Sequence, residues 1–249
     1  MRFLSQLLLA LWLPVPALAA APVDHAAQYR SCLKLLRQAP WDAYEAARAW
    51  QPLGGGDAAR HCAALALIEL KQYDAAALEL EEIAQSQQDK GDVSPAAVLG
   101  QAANAWFLAG RLDRAETAII SALERAPDDA GLLVDWARIL GDAGRYPEAL
   151  DALDRALQAA PDDAEVWAFK AAALRHLDRP DAARKAVDTA LNLEPGQPNA
   201  LLERGLLRRA AGDDAGARED WLALTLAWEG TPAGDAARAY LEEMDVQDK

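Results

Sequence analysis

In 249 residues, 39 acidic side chains outweigh 25 basic ones, leaving a formal net charge of −14 at pH 7. A balance that negative opposes phosphate backbones and anionic lipid faces, which excludes nucleic acid and charged membrane surfaces as general partners. A single globular core is strained at this length, whereas a repeat array grows lengthwise without that limit.

Residues 1–19 read as a secretory signal. Met1-Arg2 supply a positive start, Leu7 to Leu13 an apolar run, and Ala17-Leu18-Ala19 a small-x-small cleavage site. The run is short for a membrane span, and Pro14 and Pro16 break its far end. The expected product begins near Ala20, is periplasmic or secreted, and has no membrane insertion after cleavage.

Residues 20–245 read as a succession of helical pairs. The pair at 23–51 starts with Asp24 to Arg37, where Tyr29, Cys32, Leu33 and Leu36 share one face by i, i+3, i+4, i+7 spacing. Pro40 opens its second helix, carrying Trp41, Tyr44 and Trp50. Gly54-Gly55-Gly56 is a turn; it lacks the Lys-Ser/Thr that would complete a phosphate loop. Asp57 is the expected cap of the next helix, in a faint unit spanning 57–90 with Ala64, Leu67, Tyr73, Ala76 and Leu80. The polar stretch Gln85 to Val93 lengthens that unit. Ser94-Pro95 then restarts the pattern, serine as cap and proline as first helical residue.

Four 34-residue blocks follow, 96–129, 130–163, 164–197 and 198–231. Position 8 of each reads Ala103, Ala137, Ala171, Gly205, and position 20 reads Ala115, Ala149, Ala183, Ala217. Position 27 reads Ala122, Ala156, Ala190, then Leu224; position 32 reads Pro127, Pro161, Pro195, then Glu229. Bulky residues stand at position 24, namely Ile119, Leu153, Val187 and Trp221. Small residues at 8 and 20 let two helices approach closely, and the bulky ones fill the groove beside them. Gly110, Gly144 and Gly212 fall where the first helix must stop in a left-handed cap. The proline ends the second helix, and Asp128-Asp129 and Asp162-Asp163 stand ready to cap the next. Thr231-Pro232 opens a capping helix over 232–245, with a short tail at 246–249.

The pattern of these blocks resembles the tetratricopeptide repeat, W-x2-L-G-x2-Y…A-x3-F…A…P in 34 residues. The resemblance is strong over about half of the chain. It implies an all-α, right-handed superhelical solenoid of antiparallel helix pairs, whose first helices line a concave face that binds protein or peptide. Positions facing that groove would be Gln101, Asn104 and Phe107; Asp135, Arg138 and Asp142; Phe169, Arg175 and His176; and Asn199, Leu202, Glu203 and Arg209. The carboxylate clamp of chaperone-binding members is not reproduced, because Gly100 stands where the lysine is expected, although Asn104 matches.

Catalytic chemistry finds no footing. His25, His61 and His176 do not combine with the cysteines in a metal-ligand spacing, and G-x-S-x-G does not occur. The chain reads as non-enzymatic and without cofactor. Trp106, Trp136, Trp167 and Trp221 occupy or adjoin bulky repeat positions, which points to core packing. Cys32 and Cys62 lie on apolar helical faces of successive pairs in a chain read as exported, so a disulfide between them is expected. The leading functional expectation is a scaffold for a protein or peptide in cell-envelope assembly or regulation. A groove for a cell-wall or sugar fragment, or a purely structural subunit, stand as alternatives.

Overall fold

The computed structural model describes residues 23–86 and 94–247. The expected signal at 1–19, residues 87–93 of the polar stretch, and the last two residues of the tail lie outside them. Thirteen α-helices follow in order among the described residues, with one 3-10 turn at Gln51–Leu53 and no strand. They are α1 (His25–Leu35), α2 (Pro40–Trp50), α3 (Gly56–Glu69), α4 (Tyr73–Ser86), α5 (Pro95–Leu108), α6 (Leu112–Arg125) and α7 (Ala130–Asp142). Then come α8 (Tyr146–Ala159), α9 (Ala164–His176), α10 (Pro180–Leu193), α11 (Pro198–Ala210), α12 (Asp214–Ala227) and α13 (Pro232–Gln247). No helix among the described residues is long and apolar enough to cross a membrane.

One cap recurs at the end of the first helix of each unit from α3 onward. The amide of Gly110 donates to Phe107 O and that of Arg111 to Trp106 O, a pairing that needs a left-handed residue in between. Gly110, Gly144 and Gly212 meet the need with φ of +70, +74 and +83. Lys71 and Asp178 adopt the same conformation at φ of 58 and 54, with equivalent bonds from Gln72 N to Leu67 O and Arg179 N to Leu174 O. Two units therefore carry the strained version of a turn that glycine makes freely. The opposite ends are capped by side chains: Ser94 on Ala97 N, Asp129 on Leu132 N, Asp163 on Val166 N, Gln197 on Ala200 N and Thr231 on Gly234 N.

Each helix packs on its sequence neighbour, and successive odd helices also touch: α5 with α7, α7 with α9, α9 with α11, α11 with α13. Even helices make no comparable contact with one another. The odd helices therefore form the closely spaced inner layer of an all-α solenoid, and the even ones the outer layer. Between the layers the alanines disappear completely: Ala103, Ala115, Ala122, Ala156, Ala171, Ala183, Ala190 and Ala217 are all 0% exposed. Ile119, Leu153, Val187 and Trp221 fill the space they leave. Removing that apolar surface from water is the main stabilising term, at about 25 cal/mol per Å².

At the first end, a disulfide joins Cys32 on α1 to Cys62 on α3, with Cα atoms 6.3 Å apart. Beside it the buried His61 ring bridges three helices, Nδ1 to Tyr29 Oη at 2.6 Å and Nε2 to Gln101 Oε1 at 2.6 Å. The neutral ring with its proton on Nε2 satisfies both contacts: it donates to the amide oxygen and accepts from the phenol. Burial pushes the His61 pKa down.

Several local expectations change. Asp57 does not cap α3; the helix begins one residue earlier, at Gly56, and Gly55 in the preceding position makes no side-chain cap bond. Chain running straight from the 3-10 turn into α3 leaves no extended capping residue, and Asp57 instead approaches Arg60 and accepts from Ser86 Oγ. Leu33 does not join the face of Cys32; it is 40% exposed, because α1 has a neighbour on one side only. The last helix does not stop at 245 but runs to Gln247, with Asp245 held by Arg218 at 2.6 Å.

Candidate groove on the inner helices

The inner layer opens into one groove of about 460 Å³ bordered by α5, α7, α8 and α9. Its depth comes from small residues. Ala137 and Gly141 lie one turn apart on α7, and Ala172 and Ala173 face them from α9, so both helix surfaces recede. Ala149 and Leu153 of α8 form the floor, and Phe107 and Phe169 stand as walls. A Cβ added to Gly141 would meet nothing within 4 Å.

The left-handed turn at Gly144 reverses the chain and sets Tyr146 at the first position of α8. Its ring lies flat on His176, with centroids 4.2 Å apart and planes 5° from parallel. Burial and the adjacent Arg175 lower the His176 pKa, keeping the stacked ring neutral over more of the physiological range. Arg138 lies 5.2 Å over the Phe107 ring and pairs with Asp135 at 3.1 Å. Burial raises the Asp135 pKa, against the opposing pull of Arg138. Glu165, one turn before Phe169, is raised as well, first by burial and then by Asp163, with Arg138 acting the other way.

The structure gathers Phe107, Arg138, Phe169 and His176 around this groove, together with Asp142. Asp135 reaches it only through Arg138. Gln101, Arg175, Leu202, Glu203 and Arg209 are engaged elsewhere. Gln101 is held by His61, and Asn104 is half-buried farther back on α5. Arg175 makes a forked pair with the buried Glu203 at 2.6 and 3.2 Å. Leu202 packs into the last core cluster with Trp221 and Leu241, and Arg209 pairs with Glu243 of α13 at 3.1 Å. Tyr146 and Glu165 were missed by sequence reasoning. Tyr146 carries one usable signal: Tyr73 occupies the same first position of its outer helix. Among the described residues, no group of three or more His, Cys, Asp or Glu is placed to hold a metal ion.

Two tetratricopeptide-repeat models match the chain, over residues 140–204 and 177–234. No curated protein sequence matches. Among solved structures, pilF of Pseudomonas aeruginosa is similar at 15% identity and a TM-score of 0.66, covering 87% of this chain and 97% of its own. A tetratricopeptide repeat protein of Parabacteroides merdae is 14% identical with a TM-score of 0.69, over 88% and 85%. MamA of Desulfovibrio magneticus RS-1, from residue 41 to its end, is 18% identical with a TM-score of 0.53, over 85% and 99%. At such identities the likeness is one of fold. With the helix-pair caps, the buried alanine positions and the matched models in agreement, residues 140–234 are tetratricopeptide repeats, set in a solenoid of the same fold.

Proposed function

We propose that the protein is an exported scaffold that holds an extended segment of a protein partner in the groove between α5, α7 and α9, in the assembly or regulation of the cell envelope. The observation that carries the binding reading is the groove itself: an apolar floor, aromatic walls and a polar rim, the composition of a peptide-recognition surface. Export is supported by the Met1-Arg2, Leu7–Leu13 and Ala17-Leu18-Ala19 pattern and by a disulfide of the kind that persists in oxidising compartments.

Gly141→Phe tests the binding reading without disturbing the core, since the helical site has open space above it. Gln158→Phe, at an exposed position of α8 outside the groove lining, is the control for added aromatic surface. Crosslinking to partners in the envelope fraction should fall about tenfold or more with Gly141→Phe and hold with Gln158→Phe. Undiminished capture by Gly141→Phe would place the contact elsewhere. For export, the N-terminus of protein from the envelope should read from Ala20 or within a residue or two. Intact Met1 on soluble cytoplasmic protein would refute it.

A further inference from the structure

The charges around the groove are not balanced. Arg138 is paired with Asp135 and Arg175 with Glu203, so both guanidinium groups are already neutralised within the protein. His176 is biased toward its neutral form by burial and by Arg175. Asp142 lines the groove and is exposed; Glu165, one turn before the lining residue Phe169 on α9, is exposed too and lies within electrostatic reach of Arg138. Among the described residues neither carboxylate has an ion-pair partner. Burial first, then Asp163, with smaller contributions from Asp135 and Glu194, raises the Glu165 pKa against the opposing pull of Arg138, so negative charge around it outweighs positive.

We infer, resting on the groove reading above, that the partner segment is apolar and cationic: a large apolar side chain seated between Phe107 and Phe169, flanked by Lys or Arg that meets Asp142 and Glu165. The geometry suits this class. The groove volume exceeds one side chain, so a Phe or Leu anchor enters with part of its backbone. The receding helix surfaces at Ala137, Gly141 and Ala173 admit the anchor between the two aromatic walls. In an extended segment the residues on either side of the anchor point away from the floor, toward the rim where the carboxylates stand. Opposite charge there raises the encounter rate and discriminates against acidic segments, which meet uncompensated carboxylates.

The test uses the full mature chain and three capped nonapeptides, Gly-Gly-Ser-Lys-Phe-Lys-Ser-Gly-Gly, its Glu-Phe-Glu counterpart and its Lys-Gly-Lys counterpart, followed by NMR titration at low salt. The Lys-Phe-Lys peptide should bind about tenfold or more tighter than either of the others, with the margin shrinking as salt is raised. Asp142→Asn with Glu165→Gln, both at exposed positions, should bring the Lys-Phe-Lys and Glu-Phe-Glu peptides to within about twofold of each other. Equal or tighter binding of Glu-Phe-Glu by the unaltered protein would overturn the inference and leave the groove reading standing. So would failure of Lys-Phe-Lys to bind at millimolar concentration. Binding of Lys-Phe-Lys that survives Gly141→Phe undiminished would overturn the groove reading along with it.

Discussion

Gly205 of α11 lies directly beneath the indole of Trp221 on α12, so that a Cβ at 205 would collide with the ring. The other strong units carry alanine at the position of Gly205 and a smaller aliphatic residue at that of Trp221. Volume has moved from one helix to the other across the same contact. Trp221 is fully buried and Leu202 O is within 3.4 Å of its Nε1, so the ring has little room to retreat. Gly205→Ala, a restoration of the repeat consensus, should therefore destabilise the protein by about 1–3 kcal/mol. Adding Trp221→Leu should recover part of that loss, and the coupling is read from urea midpoints of the two single variants and the double. Strict additivity would mean that the two positions do not compete for one space.

A similar argument separates two alanines that look equivalent in the sequence. Ala183 is 0% exposed between α9 and α10, and enlarging it to leucine should cost about 1–3 kcal/mol. Ala149 occupies the same repeat position but lines the groove floor, so leucine there has an open cavity to enter. Ala149→Leu should cost clearly less in thermal midpoint than Ala183→Leu while reducing peptide binding. Equal destabilisation would mean that the groove does not reach Ala149.

The Arg175–Glu203 pair changes how inner-face arginines are to be probed. Glu203 is buried, its side chain 8% exposed, and Arg175 is its ion-pair partner. Arg175→Ala would leave a buried carboxylate uncompensated and should cost about 3 kcal/mol, an effect on folding that mimics a loss of binding. Arg175→Met with Glu203→Leu should recover most of that stability, because replacing both charges removes the desolvation cost. A double variant as unstable as Arg175→Ala would show that the pair itself, not the orphaned charge, holds α9 to α11. Arg138, paired near the surface with Asp135, is the arginine whose replacement reports on binding.

His61 sets a pH dependence at the other end of the solenoid. Its folded pKa lies below the unfolded value near 6.5, so the folded state binds fewer protons than the unfolded one around that pH. Its contribution to stability is present above about pH 6.5 and is lost as pH falls below it. The denaturation midpoint should decline from pH 7.5 to pH 5.5, and His61→Gln should flatten that limb. His176 shifts in the same direction and remains in the variant, so the difference between the two curves isolates His61. Parallel curves would show that the ring titrates as freely as in the unfolded chain.

The helix-pair solenoid was legible before any coordinates because its causes are local and periodic. A proline, an aspartate cap, a glycine stop and an alanine contact each act on neighbours within a few residues, and the 34-residue recurrence multiplies the signal. Where the chemistry departed from consensus the signal faded: Lys71 and Asp178 make the same left-handed turn without announcing it. The groove was legible only in part. Residues facing the inner layer follow from position in the repeat, which is how Phe107, Arg138, Phe169 and His176 come together. Whether a charge on that layer is available to a partner depends on side chains far away in sequence. Arg175 meets Glu203 across 28 residues, and Gln101 meets His61 across 40. Such partners lie in other units of the array, where stacking brings them together and no local pattern marks them. The sequence determined the scaffold and the face; tertiary packing decided which side chains on that face are consumed in holding the units together, and which carboxylates remain.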